Sequence, residues 1–232
     1  MPFADDINVI RDRALAELNA AHDYYTDTKI AWQLVEQLIH GGEKIRVHNK
    51  TTGTVTTETE LAGKVRGYVA ERLAEATLQS FLEVFEAFFT DFLRVWLRAH
   101  PKYLMPTEPV DFPTIFSSPD KAAVIEFVVD RKVQGLFYKK PADWFKYVED
   151  KLDLGCPVAA EVEQLAEAKA ARDILVHGRG VVSETYVEKA GTRARFKAGD
   201  RIDIPENYHR ETWELLRKIV NDLSAAIISK FP

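Results

Sequence analysis

The chain has 232 residues, is 46% hydrophobic with thirteen Phe, eight Tyr and four Trp, and has a formal net charge of −5. That length and apolar content suffice for a substantial core and exclude a disordered tail. The negative balance excludes a protein that coats nucleic acid without selectivity, because phosphate neutralisation drives such binding.

Taken in chain order, the apolar spacing predicts mostly helices. Ala4 to Ala21 reads as a first helix with Ile7, Ile10, Ala14 and Leu18 on one face. Thr28 is a candidate cap for a second helix running to Ile39, stopped by Gly41-Gly42. Between Ile45 and Thr59, Thr and Val alternate around Gly53, which suggests a short hairpin or extended arm. Leu61 to Ala99 carries the longest helical pattern, ended at His100-Pro101 because a residue before proline avoids the helical region. Five prolines between Pro101 and Pro119 predict a loop.

Pro119-Asp120 opens a predicted helix to about Tyr138, and Pro141 another to Leu154, each with proline in the first turn. A further helix starts at Pro157 and ends at Gly178, read as a left-handed C-cap. Residues 191–205 suggest a small two-stranded excursion. Glu206 to Phe231 closes the chain as an amphipathic helix through Trp213, Leu216, Val220, Leu223 and Ile227. The expected fold class is all-α, a helical bundle with minor β-hairpin elements, in one domain over residues 1–232.

Compartment and cofactors are bounded by what the chain lacks. One cysteine, Cys156, excludes an intrachain disulfide and a cysteine-rich zinc site. The six histidines are scattered without ligand spacing, so neither a metal nor another cofactor is expected. The N-terminus lacks the basic and apolar regions of a signal peptide. The most apolar stretch, Phe81 to Leu97, is interrupted by Glu83, Glu86, Asp91 and Arg94, as a core helix would be and a membrane span would not. A cytoplasmic protein without a membrane partner is expected. No phosphate-binding loop, H-E-x-x-H metal helix or G-x-S-x-G elbow is present.

Charge is unevenly distributed. Lys169 to Arg201 holds eight basic residues against four acidic ones, a local +4 on a chain whose remainder is −9. Within that stretch lies Arg172-Asp173-Ile174-Leu175-Val176-His177-Gly178. Arginine can hold a phosphate through two parallel hydrogen bonds, and histidine can move a proton near neutral pH. Together they suit metal-free RNA cleavage, in which one group clamps the phosphate and another takes the 2′-hydroxyl proton.

The bare pattern is weak: fifteen Arg and six His produce about one match by chance. Arg94 to His100 is indeed a second match, and its setting suggests a helix end packed on the core. Five residues of ideal helix set Arg172 and His177 about 140° apart, too far for a compact site on one face. They would flank a groove or meet residues of a second subunit. The plainer alternative makes Arg172 and Asp173 helix-solvating charges and His177 a C-terminal cap.

The segment Ala-Arg-Asp-Ile-Leu-Val-His-Gly-Arg-Gly-Val-Val over 171–182 resembles the Arg-polar-x-x-x-His signature of HEPN-domain proteins. It looks most like the bacterial ribonuclease-like subgroup of the RiboL-PSP-HEPN or MAE-HEPN type. There a Gly and a Tyr-x-x-Lys-Ala-Gly segment follow, here Tyr186 to Gly191. The Phe-rich run 81–88 and Asp91 to Leu97 are similar to the preceding core helix, so the likeness spans residues 61–232.

The resemblance implies an up-and-down helical bundle that dimerises, joining two copies of the signature in one cleft. It also implies a metal-independent endoribonuclease of a toxin–antitoxin or phage-defence setting, with RNA as substrate and an antitoxin or defence partner. Arg172 would then stabilise the scissile phosphate, His177 would act as general base or acid, and Asp173 would orient one of them. Products would carry 2′,3′-cyclic phosphate and 5′-hydroxyl ends. Lys169 and Arg179 are candidate RNA contacts, as are Arg193, Arg195 and Lys197, with a solvated charged loop as the plainer alternative for Arg179 and the last three, and Glu86 is a candidate supporting acid. For Glu86 the alternative is a helix carboxylate paired with a nearby base. Two departures stand out: Asp173 replaces a frequent Asn, and Arg179 replaces the tyrosine of the His-x-Tyr form. The chief alternative is a non-catalytic HEPN module binding RNA, nucleotide or a protein partner. A third possibility is a purely structural helical protein associating through the Phe-rich 81–97 helix.

Overall fold

Helix α1 runs unbroken over Phe3–His40 in the computed structural model, which describes residues 3–104 and 110–232. The sequence suggested two helices divided before Thr28, yet residues 3–40 contain neither glycine nor proline to break the backbone. What changes along the helix is burial. Ile7, Ile10, Ala14, Leu18 and Tyr25 are buried, whereas Ile30, Leu34 and Leu38 beyond them are exposed. Gly42, at φ +87°, turns the chain out of the helix.

The expected hairpin is present: β1 (Val47–His48) pairs antiparallel with β2 (Val55–Thr56), Val47 opposite Thr56. Thr57 then caps α2 (Glu58–Gly67) in a capping box with Glu60. A five-residue π turn, Tyr68–Arg72, leads into α3 (Leu73–Ala99), so the single helix expected over 61–99 is realised in three pieces.

The middle of the loop expected over 101–119 lies outside the described residues. Its start is a 3₁₀ turn, Pro101–Tyr103, and its end is a short helix, α4 (Phe112–Ser117), capped by Asp111. Asp120 caps α5 (Lys121–Phe137) by accepting from the Ala123 N–H at 2.8 Å. Pro119 therefore precedes the cap and is not in the first turn. Pro141 does open the next helix, α6 (Pro141–Leu152). Helix α7 covers Ala159–His177, with Pro157 lying before its cap residue Val158.

A short helix α8 (Glu184–Ala190) follows, which the sequence pattern did not reveal. The excursion expected over 191–205 is corrected: Gly191–Arg193 is a 3₁₀ turn, and Arg201 bridges to Val181 instead of pairing within its own segment. Helix α9 (Glu206–Lys230) closes the fold. The result is all-α with one minor hairpin, as the periodicity predicts.

Helix α3 lies at the centre, packed against α1, α5, α7 and α9. It buries Phe81, Phe85, Phe88, Phe89, Phe92 and Trp96, whose i, i+4, i+7 and i+8 spacing makes one aromatic stripe, widened by the buried Leu82, Leu93 and Leu97 beside it. Phe89 lies 5.1 Å from Phe145 and 5.8 Å from Trp144 between ring centroids. These rings fix α6 on the central helix, and α6 in turn packs on α7. Among the described residues no helix is long and apolar enough to cross a membrane.

Where α1, α3 and α9 meet, polar aromatics are buried. His209 is fully buried, with Nε2 2.7 Å from Thr77 Oγ1 and its ring stacked 4.0 Å from Tyr25. His22 stacks on Trp213 at 4.1 Å beside it. Burial pushes the His209 pKa down to about 4, helped by nearby His22 and opposed by Glu206.

Two predictions follow from this packing. Phe89→Ala should cost about 3–5 kcal/mol of unfolding free energy in urea; a loss below about 1 kcal/mol would mean that the site collapses around the missing ring. For His209, the unfolded chain binds a proton that the folded chain refuses between about pH 6.5 and 4. Its contribution is whole above about pH 6.5 and is lost as pH falls toward 4. His209→Gln should therefore flatten the urea midpoint against pH in that window, with His22, also shifted down by burial, supplying the slope that remains. An equally steep profile in the variant would remove His209 as the cause.

Candidate functional site at the end of α7

The end of α7 is shaped by its glycines. Gly178 has φ −99° and is not the left-handed cap that the sequence suggested. The left-handed residues are the next two, Arg179 at φ 52° and Gly180 at φ 79°. Gly178 is required for a different reason: a Cβ there would lie 3.0 Å from the carbonyl oxygens of Ile174 and Val181. This tight turn sends the chain back along α7, so α8 packs beside the helix it has just left.

Successive turns of α7 present polar side chains to different neighbours. Lys169 and Arg172 both donate to Glu86 Oε1 on α3, Arg172 at 2.6 Å. The Arg172 side chain is only 15% exposed. Asp173 accepts from Lys189 of α8 at 3.0 Å, and its other oxygen lies 3.6 Å from Arg172 Nε. His177 is exposed at the last position of the helix. Arg172 and His177 thus diverge within one copy, as the helix angle requires.

Asp173 is hydrogen-bonded to Lys189 but only ion-paired to Arg172, and among the described residues it makes no hydrogen bond to His177. Glu86 is drawn into the group from a helix that is 86 residues away in sequence from Arg172. It is thus the helix carboxylate paired with nearby bases, the plainer of the two alternatives.

His177, Asp173 and Lys189 line an open depression of about 360 Å³, together with Ser183, Thr185 and Tyr186. A second depression of about 490 Å³ adjoins it, lined by Tyr138, Lys139, Lys140, Asp143 and Lys169 among others. The two share Ala170, Asp173 and Lys189, so they form one continuous surface from the start of α6 to the end of α7. Nothing in the sequence singled out the Tyr138-Lys139-Lys140 corner, because it carries no motif and joins the site only through packing.

The basic excess over 169–201 is largely balanced by acids. Glu86 takes Lys169 and Arg172, Glu163 takes Arg193 at 3.3 Å, and Glu167 takes Arg195 at 3.0 Å. Arg193 and Arg195, expected to guide RNA, are therefore engaged in the fold, whereas Arg179 and Lys197 make no ion pair among the described residues. The other Arg–His match is structural. Arg94 donates to Asp130 at 3.0 Å, and His100 stacks on Phe231 at 4.1 Å. Among the described residues no three His, Cys, Asp or Glu side chains gather as a metal site would need.

Glu86→Gln would leave the partly buried Lys169 without its counter-charge and Arg172 with only the more distant Asp173. The expected loss is about 1–3 kcal/mol of unfolding free energy, the range for charged hydrogen bonds. An unchanged urea midpoint would mean that water screens the three groups as at an open surface. No protein-family model, curated protein or solved structure matches this chain.

Proposed function

We propose that the chain is a metal-independent endoribonuclease of the HEPN type, acting as a homodimer on RNA in a toxin–antitoxin or phage-defence setting. One observation carries this reading: an exposed imidazole, His177, lines a depression with Lys189, and the adjoining depression carries Lys139 and Lys140. Such a surface suits a phosphodiester strand, since ammonium groups attract the backbone and a histidine changes its charge between pH 5 and 8.

In this mechanism His177 accepts the 2′-hydroxyl proton while the 2′ oxygen attacks phosphorus. The bond from phosphorus to the 5′ oxygen breaks, and the leaving oxygen takes a proton from the imidazolium of a second copy. The ends are a 2′,3′-cyclic phosphate and a 5′-hydroxyl. Arg172, oriented by Glu86 and Asp173, stabilises the charge that develops on the phosphate oxygens. Because Arg172 and His177 diverge on one helix, the cleft combines residues of both copies.

One observation favours a second reading, a non-catalytic RNA-binding module. Arg172 already donates to Glu86 at 2.6 Å and has Asp173 beside it, so negative charge occupies the place where a phosphate must come. Purified protein incubated with RNA in EDTA separates the two. The expected result is cleavage to cyclic-phosphate ends, falling about 100-fold or more in His177→Ala and comparably in Arg172→Ala. No cleavage, or equal cleavage by His177→Ala, would overturn the nuclease; tight RNA binding without cleavage would establish the module.

A further inference from the structure

Tyr138 is 93% exposed, more than any other large apolar or aromatic residue among the described residues. It stands at the junction of α5 and α6 with Lys139 and Lys140 directly after it. The segment beneath it is firmly held. Lys139 donates its N–H to the Leu136 carbonyl at 2.9 Å, and the buried Trp144 donates its indole N–H to the Lys139 carbonyl at 3.1 Å. Pro141, which starts α6, is itself buried. A bulky ring is therefore presented to water by a pinned backbone, at the far end of the depression that reaches His177.

Four lysines, Lys139, Lys140, Lys169 and Lys189, line the depression around the ring against two carboxylates, Asp143 and Asp173. Lys139 makes no ion pair among the described residues. Lys140 meets Glu188 at 3.2 Å, with both side chains more than half exposed, an arrangement that adds little to stability and leaves the ammonium available. Lys189, shared by both depressions, continues the line toward Asp173. An aromatic face flanked by ammonium groups along a groove is the arrangement that holds unpaired nucleotides: the ring stacks on a base while the cations follow the phosphates. A duplex hides its base faces and offers no such contact.

We infer that Tyr138 is a stacking platform for an unpaired RNA base, and that Lys139 and Lys140 hold the adjoining phosphates, so the groove selects single-stranded RNA. This rests on the proposed function in that the strand running from Tyr138 leads to His177. Because the loop is already ordered, binding loses little conformational entropy there. Stacking needs the ring and not its hydroxyl, which fixes the pattern expected of substitutions.

The test uses the full chain and fluorescence anisotropy with a labelled twelve-nucleotide oligouridylate, beside a blunt RNA duplex of equal charge. The His177→Ala background prevents cleavage during titration. Tyr138→Ala should weaken oligouridylate binding about 5- to 100-fold, Tyr138→Phe should bind as tightly as the parent, and duplex binding should not change. Because the ring lies in water, its removal leaves the core intact. Equal binding by Tyr138→Ala, an equal loss on the duplex, or no oligouridylate binding by the parent would each overturn the inference.

The two proposals fail separately. His177-dependent cleavage with Tyr138→Ala indistinguishable in binding removes only the platform. Tyr138-dependent binding by a protein that never cleaves removes only the nuclease.

Discussion

A buried carboxylate organises the C-terminal half of this protein. Glu167, on α7, is 3% exposed and accepts hydrogen bonds from the hydroxyls of Tyr186 and Tyr208, each at 2.7 Å, and from Arg195 Nε at 3.0 Å. An ionised carboxylate without such partners would cost several kcal/mol to bury, so the segments supplying them must assemble around it. They are α8, the irregular stretch before α9, and the start of α9. Burial and the neighbouring carboxylate raise the pKa of both phenols, which keeps them protonated as donors. Arg195 also lies over the Tyr208 ring, 3.4 Å from its centroid. The position of Lys189 beside Asp173 follows from this anchoring, since Tyr186 fixes α8 one turn earlier.

Legibility in the sequence depended on the range of the interaction. The apolar spacing of α3, the threonine and valine alternation around Gly53, and the proline that opens α6 are local signals, and each marks an element that the fold contains. The pattern of α1 suggests a division that the helix does not make, because it weakens after Tyr25, where the helix stops burying side chains but continues as a helix. Helix α8 is too short for a periodic signal. The loop over 101–119 hid α4 because Asp111 with Pro113 is as good a helix start as a turn.

For the candidate site, the angle between Arg172 and His177 was visible in helix geometry. The grip of Glu86 on Arg172 and Lys169 was open only as one of two alternatives, since a carboxylate on one helix does not announce its partner on another. Gly178 was assigned to the right place for the wrong reason. It is selected by the close approach of two carbonyls, which no local pattern encodes.

Opposite charges set the character of the surface. Four of the basic residues that make 169–201 look cationic are bound to Glu86, Glu163 and Glu167, so that stretch serves largely to tie helices together. What remains available to an anion among the described residues is Arg179, Lys197 and Arg201 of that stretch, with Lys139 and the exposed, loosely paired Lys140 and Lys189 in a narrow track beside α7. A narrow track neutralises few phosphates, so association with a polyanion would depend only shallowly on salt. Selectivity in such a surface comes from shape and stacking more than from bulk charge.

Helix α1 carries a consequence of its own. Its first half is sewn into the main apolar cluster through Ile7, Ile10, Ala14, Leu18 and Tyr25. Its second half lies beyond that cluster, in the part of the chain where Leu61, Ala62 and Val65 of α2 are buried outside it. One continuous ladder of backbone hydrogen bonds therefore belongs to two cooperative units. Amides near Ile10 exchange with solvent only when the whole bundle opens, whereas those near Leu38 exchange by local fraying that leaves the bundle folded. The boundary between these regimes falls inside an unbroken helix, near Tyr25, and is set by side-chain burial alone.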